Sequence, residues 1–370
     1  MQWGLVATDG AFHPWHIDSD GFGTFVEIQT GRKWWVLARP RGNDPDFSDF
    51  ARIDTFLGGI DTTAPNLDRW ELEAVLLEPG TRLVMRPNTP HLVYTFGHTI
   101  AYGGHFYSTS VLRDTAFGVM HTFVGSSVLT NTSHYPSRHL LRRMVYFFHE
   151  SLVRGSSCSA AVSAHLFDLS DPQTPFDLII FCSLIMLLTA LDFQTYESTE
   201  VTSELSLQNP MSLSGHLGAA YTQGMAMELI NWIFHHFDVK NLQTGDVVHY
   251  PYVEIFSQYL ISLSRTLPDY MAKALLVDMH GPQGCTVESF EDKLENAISQ
   301  LPKLEMIKFR YEHETRQFST LAPASHYLFT LKKPAGTYKP LDNITLLVNG
   351  SSNKDQEYMT HCGVDSDIFL

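Results

Sequence analysis

Apolar and polar positions follow two rhythms along the chain. Through about residue 110 the apolar residues come in short runs: Gly23 to Ile28, Lys33 to Ala38, Ala74 to Leu77, Arg82 to Met85, Leu92 to Thr95 and Ile100 to Tyr107. Turn signals separate them, with TGRK at 30–33, EPG at 78–80 and PNTP at 87–90. Many short strands with little helix predict a barrel or jelly roll. From about Pro136 the apolar spacing lengthens to the helical period. It predicts helices over Ser137 to Arg154, Ala219 to Phe237, Tyr252 to Leu267 and Val287 to Leu301. Pro268-Asp269 is placed to open another, DYMAKALLVDMH. Glu197 to Ser214 reads as a polar loop. The pattern divides the chain into a β-rich part, 1–110, a helical part, 111–331, and a loosely ordered tail, 332–370. Its fold class is α+β.

One apolar run needs separate treatment. Leu178 to Leu191 (LIIFCSLIMLLTAL) is bounded by Asp177 and Asp192. It is shorter than the ~20 residues a bilayer demands, so it predicts a buried core helix and no membrane span. Composition then narrows the function. Lys+Arg number 25 against 40 Asp+Glu, a formal charge of −15. That balance argues against a broad nucleic-acid-binding face and suits a basic polypeptide partner. Cys158, Cys182, Cys285 and Cys362 are widely spaced with no CxxC pair, which argues against a zinc ribbon or a disulfide framework. The N-terminal residues lack a signal-peptide pattern, so the cytoplasm or nucleus is the expected compartment. Sequons at Asn131, Asn343 and Asn349 carry weight only in a secreted chain.

The chemistry concentrates in HPWHIDSDGFGTFVEIQTGRKWW. Within it stands His16-Ile17-Asp18. On a strand, residues i and i+2 share a face, so both side chains can reach one metal. Imidazole plus carboxylate begins the two-His-one-carboxylate facial triad, which leaves coordination positions open. The second His must come from a later strand. His91, after the PNTP turn, fits best; His98 in a Gly-His turn reads as exposed, and His105 as structural. Lys33 opens the strand KWWVLA, expected to lie beside the metal strand and to be joined to it through the QTGR turn. An inward lysine in an apolar setting calls for an anion. Trp34-Trp35 and Phe147-Phe148 read as core aromatics. His149, His235 and His236 receive no role.

In the segments HID at 16–18, GTFVEIQTGRKWWVLARP at 23–40 and PNTPHLVYTFGHTIAYGGHFYS at 87–108, the chain resembles the JmjC family of Fe(II)- and 2-oxoglutarate-dependent oxygenases. The step from His16 to Lys33 fits the branch that includes histone lysine demethylases. The resemblance covers roughly residues 10 to 110. It implies a double-stranded β-helix of the cupin type, with His16, Asp18 and His91 on Fe(II) and Lys33 on the distal carboxylate of 2-oxoglutarate. It also implies O2-dependent hydroxylation of a protein substrate, a histone tail among the candidates. On an N-methyl-lysine the hydroxylated product would release formaldehyde. Nuclear location follows from the resemblance alone, and the helical part would serve substrate docking or oligomer formation. Two features depart from the family pattern. His13 stands where many relatives place a Thr that also binds the cosubstrate. Only 15 residues precede His16, where relatives carry several further strands and helices, so front strands are expected to be missing. The alternatives are a catalytically degenerate JmjC-like binding module and a zinc-binding cupin-like protein.

Overall fold

The computed structural model of the chain describes residues 1–41, 70–125, 134, 137–155, 164–169, 171, 174–196, 213–242, 244–247 and 327–332. They are mixed α/β. The described residues up to His134 form one compact unit and those from 137 onward a second.

The first unit is built on a six-stranded antiparallel sheet. Its strands are β1 (Gln2–Ala7), β2 (Phe12–His16), β3 (Gly23–Pro40), β4 (Trp70–Leu77), β5 (Arg82–Met85) and β6 (His91–Phe106). The residues ahead of His16 thus supply two strands, both paired to β6. Two of the expected strand pairs are single long strands. TGRK does not reverse the chain: Gly31, at φ +77°, sits in β3 where the β3–β6 register shifts on either side of Thr30. Gly97, at φ +69°, is the matching irregularity in β6. A pattern reader takes such glycines for turns, but here they make bulges that bend a paired ladder without ending it.

These bulges divide the sheet into halves. Below them β3 pairs β5 and the end of β6, which also carries β1. Above them β3 pairs β4 and the start of β6, which carries β2. The strand bearing Lys33 therefore does not lie beside β2, as the sequence had suggested; β6 runs between them. The bulges also preserve the inward face. Thr24, Val26 and Ile28 point in before them, and Lys33 and Trp35 after them, although the parity of the numbering has changed. Val26, Ile28, Trp35, Leu77, Met85, Val93 and Ala101 form the core on that face. The opposite face carries Trp34, 45% exposed. Trp34 is thus not the core residue that its apolar context suggested.

After β6 comes helix α1 (Leu112–Gly125), which belongs to the first unit. It packs backbone against backbone on the short 3-10 turn Ser19–Gly21. A Cβ on Gly21 would collide with the carbonyl oxygen of Thr115, and one on Gly118 would collide with the Cα of Gly21. Thr115 Oγ1 donates to Gly21 O at 2.8 Å.

The second unit holds α2 (Ser137–Phe148) with a π-turn, His149–Val153, at its end, then α3 (Thr174–Tyr196), α4 (Leu213–His236) and the antiparallel strand pair β7 (Phe237–Asn241) and β8 (Tyr327–Leu331). Leu178 to Ile185 are all buried, as expected of a core helix. Phe148 is buried against Phe167 and Phe181. Leu213 and Ser214 belong to α4 rather than to a polar loop. His149, given no role above, bonds Glu228 of α4 at 2.7 Å, both fully buried. Among the described residues no helix is long and apolar enough to cross a membrane. The helices expected over 252–267, 269–280 and 287–301 lie outside the described residues, as does the tail beyond Lys332.

Candidate metal centre

The sheet register brings the expected ligands together. His16, at the end of β2, pairs directly with His91, at the start of β6. Their ring centroids are 4.2 Å apart. Asp18 follows two residues later, where the chain leaves β2 for the 3-10 turn. One ligand atom from each of His16, Asp18 and His91 lies within 4.8 Å of the other two. They are the one such grouping among the described residues.

Local backbone groups aim both imidazoles. His16 Nδ1 donates to Pro14 O at 2.7 Å, and His91 Nδ1 donates to Thr89 O at 2.9 Å. Each ring is left with Nε2 as its free lone pair, the arrangement in which an outer hydrogen bond fixes the tautomer of a metal-binding histidine. The PNTP turn holds His91 in place: Asn88, at φ +59°, donates to Asp114 O of α1 at 2.6 Å. The Trp35 indole stacks on the His91 ring at 5.6 Å and 15°.

The charge states suit a cation. Burial, then the neighbouring His91, push His16 down to about 4, so its ring is neutral at pH 7. Burial works to raise Asp18, but His91, His105, the Thr24 hydroxyl and His16 together hold its carboxyl below the usual range. Two imidazoles and one carboxylate, with no thiolate, are a hard-to-borderline donor set. It suits a divalent first-row ion, Fe(II) included, held by three protein ligands with positions left over.

Lys33 and its surroundings pass a second test of fit. The side chain is 1% exposed and its ammonium donates to Thr95 Oγ1, directly across on β6, at 2.9 Å. Among the described residues no carboxylate pairs with it, and burial pulls the ammonium below the ordinary lysine value. On the same inward face, between Lys33 and the level of His91, the buried indole N–H of Trp35 has no hydrogen-bond partner. An ammonium and an N–H are both donors, and together they call for a group that brings acceptor oxygens and negative charge. Lys33 lies four residues along β3 from Leu37, which pairs with His91. That is about 13 Å at ~3.3 Å per residue, a gap that a dicarboxylate chelating the metal and the lysine side chain bridge together.

His13 is exposed, edge-on to His16 at 6.3 Å, and burial of its ring together with the nearby charge of Lys33 lowers its pKa. It borders the centre without joining the triad. His98 is exposed. His105 stands outside the triad, its ring nitrogens bonded to Thr24 and Trp3. Sequence reasoning missed Thr24, Trp35 and Thr95. Each becomes visible only once β3 and β6 are set in register. No protein-family model matches the chain, and no curated protein matches it.

Proposed function

We propose that the chain is an Fe(II)- and 2-oxoglutarate-dependent oxygenase of the JmjC type. The observation that carries this reading is the pairing of a His16–Asp18–His91 triad with a buried, carboxylate-free Lys33 on the same sheet face. The division of β3 and β6 into two four-stranded halves supports a double-stranded β-helix, the architecture in which the family holds such a triad.

When bound, Fe(II) and 2-oxoglutarate supply decarboxylation to succinate and CO2, with one oxygen of O2 entering succinate and the other a substrate C–H bond. The residues of the chain do the rest. His16, Asp18 and His91 would hold the metal, three protein ligands that would leave its remaining positions for exchange. Lys33, with Thr95 beside it, would pair with the distal carboxylate of the keto acid. The Trp35 N–H offers a further donor along the way, and its ring keeps water from one side of His91. The excess of acidic residues suits a basic polypeptide substrate; an N-methyl-lysine of a histone tail and a nuclear setting follow from the JmjC resemblance alone.

One position favours a second reading, a non-catalytic module of the same fold. His13 stands where family members place a cosubstrate-binding Thr. The two readings separate in one experiment: anaerobic titration with Fe(II), with and without 2-oxoglutarate, then admission of air and assay for succinate. Succinate formation supports the oxygenase. Metal and 2-oxoglutarate binding without succinate supports the module, and no metal binding sinks the oxygenase.

A further inference from the structure

A row of hydrogen bonds leads away from the carboxylate of Asp18 across the inward face of the sheet to its edge strand β1, and its direction is fixed by chemistry. At its outer end Trp3 Nε1 contacts His105 Nε2 at 3.1 Å. An indole N–H can only donate, so His105 Nε2 accepts and carries no proton. The proton of this neutral ring therefore sits on Nδ1, which contacts Thr24 Oγ1 at 2.9 Å. Thr24 accepts that bond, and its own hydroxyl proton closes on Asp18 Oδ2. Every donor and acceptor is used once, from β1 through β6 and β3 to the ligand.

The surroundings are shaped for the row. A Cβ on Gly103 would run into the Trp3 ring, so a glycine there is what lets the indole reach His105. Phe22, 1% exposed, stacks on the other side of the imidazole at 5.2 Å and 23°. The ring is held in plane and cannot turn over without losing both bonds.

We infer that His105 is a positioning residue for the metal. Through Thr24 it occupies Asp18 Oδ2, so that the carboxylate ligates through Oδ1 alone. An Asp18 free to swing would chelate through both oxygens and take up a position needed for other ligands. This inference rests on the metal reading of His16, Asp18 and His91, and it adds a reason why the three ligands leave positions open.

The test uses the full chain, with Co(II) as the probe and its visible absorption as a report of coordination. Thr24→Val should weaken Co(II) binding about 10- to 100-fold, the range for loss of an outer hydrogen bond to a ligand, and change the absorption band. Thr24→Ser, which keeps the hydroxyl, should restore both, showing that the loss is not one of folding. In the metal-free chain, nitrogen NMR should find His105 as the Nδ1–H tautomer, and Trp3→Phe should convert it to a mixture. Wild-type affinity and spectrum in Thr24→Val, or an Nε2–H tautomer at His105, would overturn the inference while leaving the triad intact. Asp18→Ala run in parallel separates the two failures: wild-type Co(II) binding in that variant removes the metal reading itself, and the positioning role with it.

Discussion

Lys33 carries a burial cost that the proposed anion would offset. A fully buried ammonium with one neutral hydroxyl for company has lost more hydration than Thr95 returns. Replacing it by an apolar side chain of similar length removes that cost. Lys33→Met should therefore raise the melting temperature of the metal-free chain, by the equivalent of about 1–3 kcal/mol. The same change should weaken 2-oxoglutarate binding by roughly 10- to 150-fold, the worth of one charge-assisted bond, and leave Co(II) affinity close to wild type. A lower melting temperature in Lys33→Met would show that the lysine serves a structural ion pair. The lysine was singled out in the sequence, as were His16, Asp18 and His91, by type of side chain and by their order in the segments that resemble the JmjC family. Thr24 and Trp3 were not. A threonine and a tryptophan are ordinary strand residues until the ladder shows which atoms they meet.

At the scale of elements, α1 is the part that the apolar pattern failed to announce. Its core-facing residues include Thr115, Gly118 and Thr122, small side chains that let the helix approach the turn after Asp18 closely. Thr122 Oγ1 takes the backbone N–H of Asp20, which sits at φ +58°. The helix thus clamps the segment that presents the carboxylate ligand. Gly118→Ala inserts a methyl group where the Gly21 Cα already lies and should cost about 1–3 kcal/mol of stability, the usual range for overpacking. Because the displaced segment carries Asp18, Co(II) affinity should fall in the same variant. Chemical denaturation and Co(II) titration check the two effects; a variant as stable and as tight-binding as wild type would show that the turn gives way freely. The long strands tell the opposite story. Composition found their two ends and mistook their glycine-marked middles for turns, since only the partner strand reveals that pairing continues.

For the molecule as a whole, several imidazoles are kept neutral by the fold. His16 and His139 both stand at about 4, each chiefly through burial, aided by His91 in the first case and by Arg142 and Arg143 in the second. Against 6.5 in the unfolded chain, these are depressed values. Between pH 6.5 and 4 the unfolded chain therefore takes up protons that the folded chain refuses. Stability should fall across that window, by at most about 1.4 kcal/mol per pH unit for each group. Thermal melts of the metal-free protein from pH 7 to pH 5 should show a steadily falling midpoint, and a level or rising one would contradict the assigned burial. A different feature marks the outer face of the sheet. Phe12, Tyr94, Trp34 and Leu76 lie side by side across β2, β6, β3 and β4, each more than a third exposed.

The central place of β6 has a consequence in time. β1, β2 and β3 all take their hydrogen bonds from it, yet it is the last of the six strands to be synthesised. A chain still on the ribosome with His16 and Asp18 already emerged has no second imidazole and no ladder to hold the first. The loops closed by β6 are long, and such contacts form late in folding. Under the proposed function, metal capture should accordingly be a final step. In stopped-flow refolding with Co(II) present, the visible band should appear together with the slowest phase of sheet formation. A band that precedes the sheet would mean that the ligands gather before the strand that joins them.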